Sequence, residues 1–361
     1  MKSLQYTLYI IIAIVLFGVL IAVHEFGHFF TAKLLGVRVN EFSIGMGPLL
    51  WKRTKGETTY SLRALPIGGF CAMEGEDIPT DDPGSFANQP GWKKFIILVA
   101  GSFMNFLAGF LIILVLFSQN EMYAAPAVSQ FMEGAEHLEQ GGLQEGDLFY
   151  RIDGHRIYFI GDVSLFLDRA DDVVDLEVIR DGEHVVLENF DFARKVPVVD
   201  ENGQTTYMRG VYFGVVEEMT PWLVVKHSWY QSMDCVRMVW LSLGDLITGR
   251  AGLREVSGVI GIVDTVGDVG AQAATFADGL YSVFSFMSLI AINLAVMNLL
   301  PIPALDGGRI FFLIIGGIFA LLTGKKLNPK YENAINTVCF VLLMGLMILI
   351  AVSDVLKLAG V

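Results

Sequence analysis

Hydrophobic and polar positions alternate along this chain on two scales. Long apolar runs occupy its first third and last quarter, and short alternating runs fill the middle. A bilayer-spanning helix takes about 20 apolar residues. Residues 4–35, 95–117, 281–300 and 335–356 meet that requirement and predict about four transmembrane helices. A further apolar run, 310–322, follows the third and is expected as an interfacial or re-entrant continuation. Between the first two spans, residues 37–94 are rich in Gly and Pro and hold alternating runs such as TTYSLRALPIGGFCAM, a pattern of strands and turns that predicts a β-hairpin.

Between the second and third spans the pattern changes. Residues 123–218 are polar, with runs such as DVVDLEVIRDGEHVVLE, and predict a small strand-rich soluble domain. Residues 222–250 have helical periodicity, with Trp222, Val225, Trp229, Met233 and Val236 roughly on one face. Such a helix either lies on the membrane surface or belongs to the soluble domain or bundle. Residues 251–274 are Gly-rich, of low helical propensity, and read as a loop. The expected architecture is an α-helical polytopic membrane protein with an inserted α+β domain. Its parts are membrane core 1–122, soluble domain 123–218, surface helix and loop 219–280, and membrane core 281–361.

Composition agrees with this division. The chain of 361 residues is 53% hydrophobic and 17% charged, against about 25% charged in soluble domains. A net charge of -13 argues against a nucleic-acid partner. Cys71, Cys235 and Cys339 are too far apart for a disulfide framework or a zinc knuckle. The first apolar run is too long, and lacks the small-residue site, for a cleaved signal peptide. Lys33, Arg38, Lys52, Arg53, Lys93 and Lys94 in the first loop, and Lys325, Lys326 and Lys330 in the last, place both loops on the cytoplasmic side. Four spans then put the soluble domain and both termini outside.

The chemistry lies in two short segments. His24-Glu25-Phe26-Gly27-His28 is an H-E-x-x-H sequence at the end of the first span. Residues four apart share a helical face, so both imidazoles can reach one metal ion. Glu25 beside them is placed as general base toward a metal-activated water. His24 is nine residues before Lys33, roughly 14 Å along a helix axis, which puts the metal within the bilayer toward the cytoplasmic side. Ionisable residues at that depth mark function. A catalytic zinc takes three protein ligands and keeps one position open. The third is sought in Asn298-Leu299-Leu300-Pro301-Ile302-Pro303-Ala304-Leu305-Asp306-Gly307-Gly308. Alone, Asp306 reads equally as a helix cap or turn residue; with H-E-x-x-H at a similar depth it reads as a ligand.

Together the two segments resemble the site-2 protease family of intramembrane metalloproteases, and within it the bacterial RseP-like branch. The resemblance implies His24, His28 and Asp306 as ligands of Zn2+, Glu25 as the catalytic residue, and Asn298 and Pro301 as residues holding an extended substrate. Gly101-Ser102-Phe103-Met104-Asn105 is similar to the family's G-x-x-x-N motif, and residues 42–76 to its membrane-associated hairpin. The run GAEHLEQGGLQEGDLFYRIDGHRI resembles a bacterial PDZ signature, with Gly142-Leu143 and Gly146-Asp147 at the turn and Ile152-Asp153-Gly154 ending the strand. One such domain is visible. The implied function is cleavage of single-span transmembrane proteins, such as anti-sigma factors, or signal-peptide remnants, in a bacterial inner membrane, with the PDZ-like domain extracytoplasmic and open to peptide strands. A catalytically silent scaffold is disfavoured by the intact set of four residues. A metal transporter is disfavoured by the absence of repeats, and a protease of the membrane surface by the depth of His24.

Overall fold

The computed structural model describes residues 2–76, 80–199, 205–252, 258–325 and 329–358. The chain divides into two compact units: Met1–Leu116 with Ser232–Val361, and Phe117–Gln231. The first unit opens with helix α1 (Lys2–Leu34), followed by strands β1 (Val39–Lys55) and β2 (Thr58–Met73) and helix α2 (Gly91–Phe117). The expected hairpin is present but folds back on itself. Residues 41–44 pair with 69–72 on one side and with 59–62 on the other. Gly45, at φ 83°, sits at this bend, where a Cβ would stand 2.5 Å from the Leu65 carbonyl oxygen. Residues 69–73 pair within the sheet only with β1, so their outer edge has no strand partner among the described residues. Phe42, Cys71 and Met73 of the hairpin form one buried cluster with Ala32 of α1 and Ile97 and Leu98 of α2.

The second unit contains β3 (Met122–Phe131), α3 (Glu136–Gln140), β4 (Leu148–Ile152), β5 (His155–Arg156), α4 (Ile160–Arg169), β6 (Val173–Arg180), β7 (Glu183–Asp191), β8 (Val196–Val199), β9 (Thr205–Met208) and β10 (Val211–Glu218). Its antiparallel sheet has the order β10-β3-β4-β6-β7, with β5 on β4, and β8 and β9 form a separate pair. Leu138, Phe149, Ile152, Phe166 and Val178 are buried in its core. The turn before β4 is held by Asp147, which is fully buried. Asp147 accepts from the Gln144 amide at 2.8 Å and from Arg180 through both carboxylate oxygens, at 2.8 and 2.7 Å.

Helix α5 (Pro221–Thr248) follows as one continuous helix. Its polarity is reversed relative to a soluble amphipathic helix: Ser228, Ser232 and Asp234 are buried, and Trp222, Trp229 and Trp240 are exposed. The Gly-rich stretch 251–274, expected as a loop, contains helix α6 (Val259–Gln272) instead. Packing overrides propensity there. The Tyr9 ring lies against Gly270 and the Tyr6 ring against Gly267, where a Cβ would intrude, and Val266 is fully buried with Ala13 and Val283.

Helices α7 (Phe276–Asn298), α8 (Asp306–Thr323) and α9 (Pro329–Leu358) complete the first unit. Five helices, rather than the four expected, are long and apolar enough to cross a membrane among the described residues. The additional one is α8: the run expected as an interfacial or re-entrant continuation is a helix of 18 residues. Helices α7 and α8 run in the same direction along α1. Phe276 stacks on Tyr9 at 5.7 Å, Asn298 reaches His24, Asp306 reaches His28, and Leu313 lies near Gly91 at the start of α2. Helix α9 ends at the other end of α1: Asp354 accepts from the Gly258 and Gly261 amides, and Asp264 of the same helix α6 accepts from Tyr6.

His227 of α5 gives the second unit a pH dependence. Its imidazole is buried, stacks on Tyr123 at 3.8 Å, and has no hydrogen-bond partner among the described residues. Burial, helped by Lys226, pushes its pKa down from 6.5 to about 4. The folded state therefore favours the neutral ring, and the unfolded chain takes up the proton first on acidification. Stability contributed by this site is complete above pH 6.5 and is lost as pH falls from 6.5 toward 4. In His227→Phe the loss across that window becomes smaller, as read by hydrogen exchange of the α5 and β3 amides in the full-length protein.

Candidate metal centre

Helix α1 carries His24 and His28 one turn apart on the face that meets α2. Two glycines make that meeting close. A Cβ on Gly27 would collide with the Ala100 backbone, and a Cβ on Gly101 would overlap both imidazole rings. The His28 Nδ1–H donates to the Ile97 carbonyl at 2.8 Å. That bond leaves Nε2 with its lone pair free, as a metal ligand requires.

Asp306 arrives from α8, in whose first turn it stands. Gly307 and Gly308 are buried against the carbonyls of Leu299, Leu300 and Ile302, where no side chain fits, and Ala304 takes a φ of 79°. This tight loop aims the carboxylate at α1. Asp306 Oδ2 is 3.1 Å from His24 Nε2 and 3.2 Å from His28 Nε2, and the two Nε2 atoms are 3.2 Å apart. Tetrahedral zinc with bonds of about 2.0–2.1 Å separates its ligand atoms by about 3.3–3.4 Å. Two imidazoles and a carboxylate in this triangle are a zinc donor set, with the fourth vertex left open. Among the described residues it is the one group of three or more such side chains that could hold a metal.

Glu25 flanks the triangle. The Cys71 backbone hydrogen-bonds to its carboxylate, and Gly69 lies against its side chain, so the unpaired edge of β2 positions it. A cavity of about 330 Å³ opens between that edge and α8, lined by Phe70, Cys71, Met73, Glu76, Leu305 and Arg309 together with the four central residues. A second, of about 290 Å³, lies on the other side of Glu25 and is lined by Asn105, Leu294 and Asn298. His24, Glu25 and Asp306 face both.

The structure thus brings His24, Glu25, His28, Asp306 and Asn298 together. Pro301 is exposed in the loop after α7 and lines neither cavity. Sequence reading missed the pair Glu76–Arg309 at the first cavity and the Glu76 carboxylate that accepts from the Met73 amide at 3.3 Å. Neither has a motif; a carboxylate five residues after Cys71 and a guanidinium three after Asp306 gain meaning only once β2 and α8 converge.

Comparison with known proteins agrees with this geometry. The sequence profile of peptidase family M50 matches residues 12–346. A protein of Clostridium perfringens, named as a candidate zinc metalloprotease, is 36% identical over 97% of this chain and 99% of its own length. One of Clostridium acetobutylicum with the same description is 34% identical over 96% and 97%. A Helicobacter pylori protein, also so described, is 30% identical over 93% and 97%.

The approach at Gly101 is a test of the site independent of its ligands. Gly101→Val forces both rings away from α2. It is expected to lower zinc content of the purified protein toward that of His28→Ala, whereas Glu25→Gln, which touches no ligand, retains zinc. Metal analysis of the three variants checks this.

Proposed function

The chain belongs to peptidase family M50, the site-2 protease family, and is a multi-pass membrane zinc metalloprotease; from that premise we propose that it cuts transmembrane segments within the bilayer. The observation that carries the reading is depth. His24 stands ten residues before the end of α1 at Leu34, roughly 15 Å along the axis, and the hydrocarbon core is about 30 Å thick. On this reading the three candidate ligand atoms lie within the bilayer toward the cytoplasmic side. Taking α7 and α8 as one passage interrupted at residues 299–305 gives four passages, and the charged loops then fix the cytoplasmic side. We read the enzyme as an RseP-like protease of a bacterial inner membrane, with residues 123–218 as a single extracytoplasmic PDZ-like domain.

Zinc held by His24, His28 and Asp306 supplies Lewis acidity toward the scissile carbonyl and the attacking water. The remaining work falls to the chain. Glu25 takes the proton of the attacking water and passes it to the leaving amine. The Cys71 amide keeps the Glu25 carboxylate turned toward the cavity. A transmembrane helix hides its carbonyls, so the substrate is cut only where it is extended. The free edge of residues 69–73 accepts it as an added strand, taking the Met73 amide from Glu76. Asn298, facing the second cavity, donates to the substrate backbone, and Pro301 shapes the loop beside it. The substrates of this reading are single-span proteins such as anti-sigma factors, or signal-peptide remnants. The PDZ-like unit screens their outer ends, and the exposed Trp222, Trp229 and Trp240 of α5 suit a membrane surface.

The test is cleavage of a tagged single-span substrate by the purified wild-type protein and by Glu25→Gln, with and without a zinc chelator. Cleavage inside the span by the wild type alone, abolished by chelator, is the expected result. Cleavage confined to residues outside the span would show a surface protease instead.

A further inference from the structure

We propose that Asn105 orients His24 for metal binding, its side-chain oxygen accepting the Nδ1–H of the imidazole. The proposal rests on His24 being a ligand through Nε2. That role forces the proton of the neutral ring onto Nδ1, and a buried N–H needs an acceptor. His28 has the Ile97 carbonyl at 2.8 Å for this purpose. Among the described residues His24 has no carbonyl or carboxylate at Nδ1. It has two amides, with the Asn105 nitrogen at 3.4 Å and the Asn298 nitrogen at 3.5 Å. An amide nitrogen cannot accept from an N–H, so one of the two amides is turned over when the metal is bound.

Burial decides which. Asn105 is 1% exposed, and its Oδ1 is fully enclosed without a hydrogen-bond partner among the described residues. An orphaned buried acceptor and an unsatisfied buried donor stand on adjacent side chains. Turning the Asn105 amide joins them and satisfies both. The amide NH2 then takes the enclosed position that Oδ1 leaves. Asn298 is half-buried and faces the same cavity from α7, so its oxygen and nitrogen stay available to substrate. The position of Asn105 also follows from α2. It lies four residues after Gly101, so the glycine that makes room for the rings and the amide that fixes one of them share a helical face.

The experiment uses the full-length protein in detergent and reads zinc affinity by chelator competition beside kcat and KM on the single-span substrate. Asn105→Leu keeps the number and branching of the side-chain heavy atoms and removes the acceptor; Asn105→Ala is the second variant should Leu not fold. Asn105→Asp keeps an acceptor. The loss expected for the acceptor-free variant is about 10–100-fold in zinc affinity, with a lower kcat and an unchanged KM. Asn105→Asp is expected to restore zinc affinity, and Asn298→Ala to move KM while leaving zinc affinity in place. Wild-type zinc affinity in Asn105→Leu, or an Asn105→Asp variant as weak as Asn105→Leu, overturns the proposal. Wild-type zinc affinity in His24→Ala points elsewhere: it removes His24 from the ligand set, and with it the premise.

Discussion

The closeness of α1 and α2 at Gly27 and Gly101 is the constraint on which the rest of the first unit depends. Two apolar helices in lipid gain nothing from the hydrophobic effect by meeting, so small residues that let backbones touch supply the contact. Here the contact also creates a shelter. The imidazoles of His24 and His28 lie over Gly101 and are 9% and 6% exposed, although both sit in a segment whose surroundings include Phe26 and Phe30 facing outward. A methyl group at either glycine would push α2 back, remove the Ile97 carbonyl from His28, and open the polar centre to hydrocarbon. The close approach is therefore at once a packing device and the means of fixing a tautomer.

A second constraint acts on the opposite wall. The chain carries a carboxylate to the level of His24 and His28 by ending α7 at Asn298 and starting α8 at Asp306. Irregular backbone at membrane depth survives only when protein or water covers it. Gly307 and Gly308 meet that condition by lying against the carbonyls of residues 299–302. The break also gives Asp306 a place in the first turn of α8, where the helix dipole favours a negative charge. The side chains of His24, His28 and Asp306 converge because α1 is uninterrupted through the site and the chain is broken between α7 and α8 at it.

Much of this was legible in the sequence, and what was not has a physical reason. Four-residue spacing is local, so His24 and His28 on one face needed nothing but helix geometry. Asp306 was legible as a candidate only in combination with H-E-x-x-H; alone it read equally as a cap or turn residue. The hairpin was legible as strands, but its return pairing of residues 41–44 with two partners was not, because register is set by contact with α1 and α2 and not by alternation. Helix α6 was hidden for the opposite reason. Its glycines lower helix propensity, and their value appears only when Tyr6 and Tyr9 are seen against them. The break before α8 was visible as prolines, whereas the helical character of residues 310–322 was underrated because the run is short for a span.

The hairpin edge joins these constraints to the chemistry. In the present structure its outward amides are occupied: Cys71 by Glu25, and Met73 by Glu76, whose carboxylate also pairs with Arg309. Exchanging one hydrogen-bond acceptor for another on a buried N–H changes free energy little, because the amide is satisfied in both states. On the proposed function, a substrate strand that replaces Glu76 at Met73 leaves that amide satisfied, and Glu76 keeps Arg309 as its partner. The Cys71 amide differs, since releasing it would free Glu25 from the edge that aims it. On the proposed function, the edge available to an added strand is the part beyond Cys71, along the cavity that His24, His28 and Asp306 line.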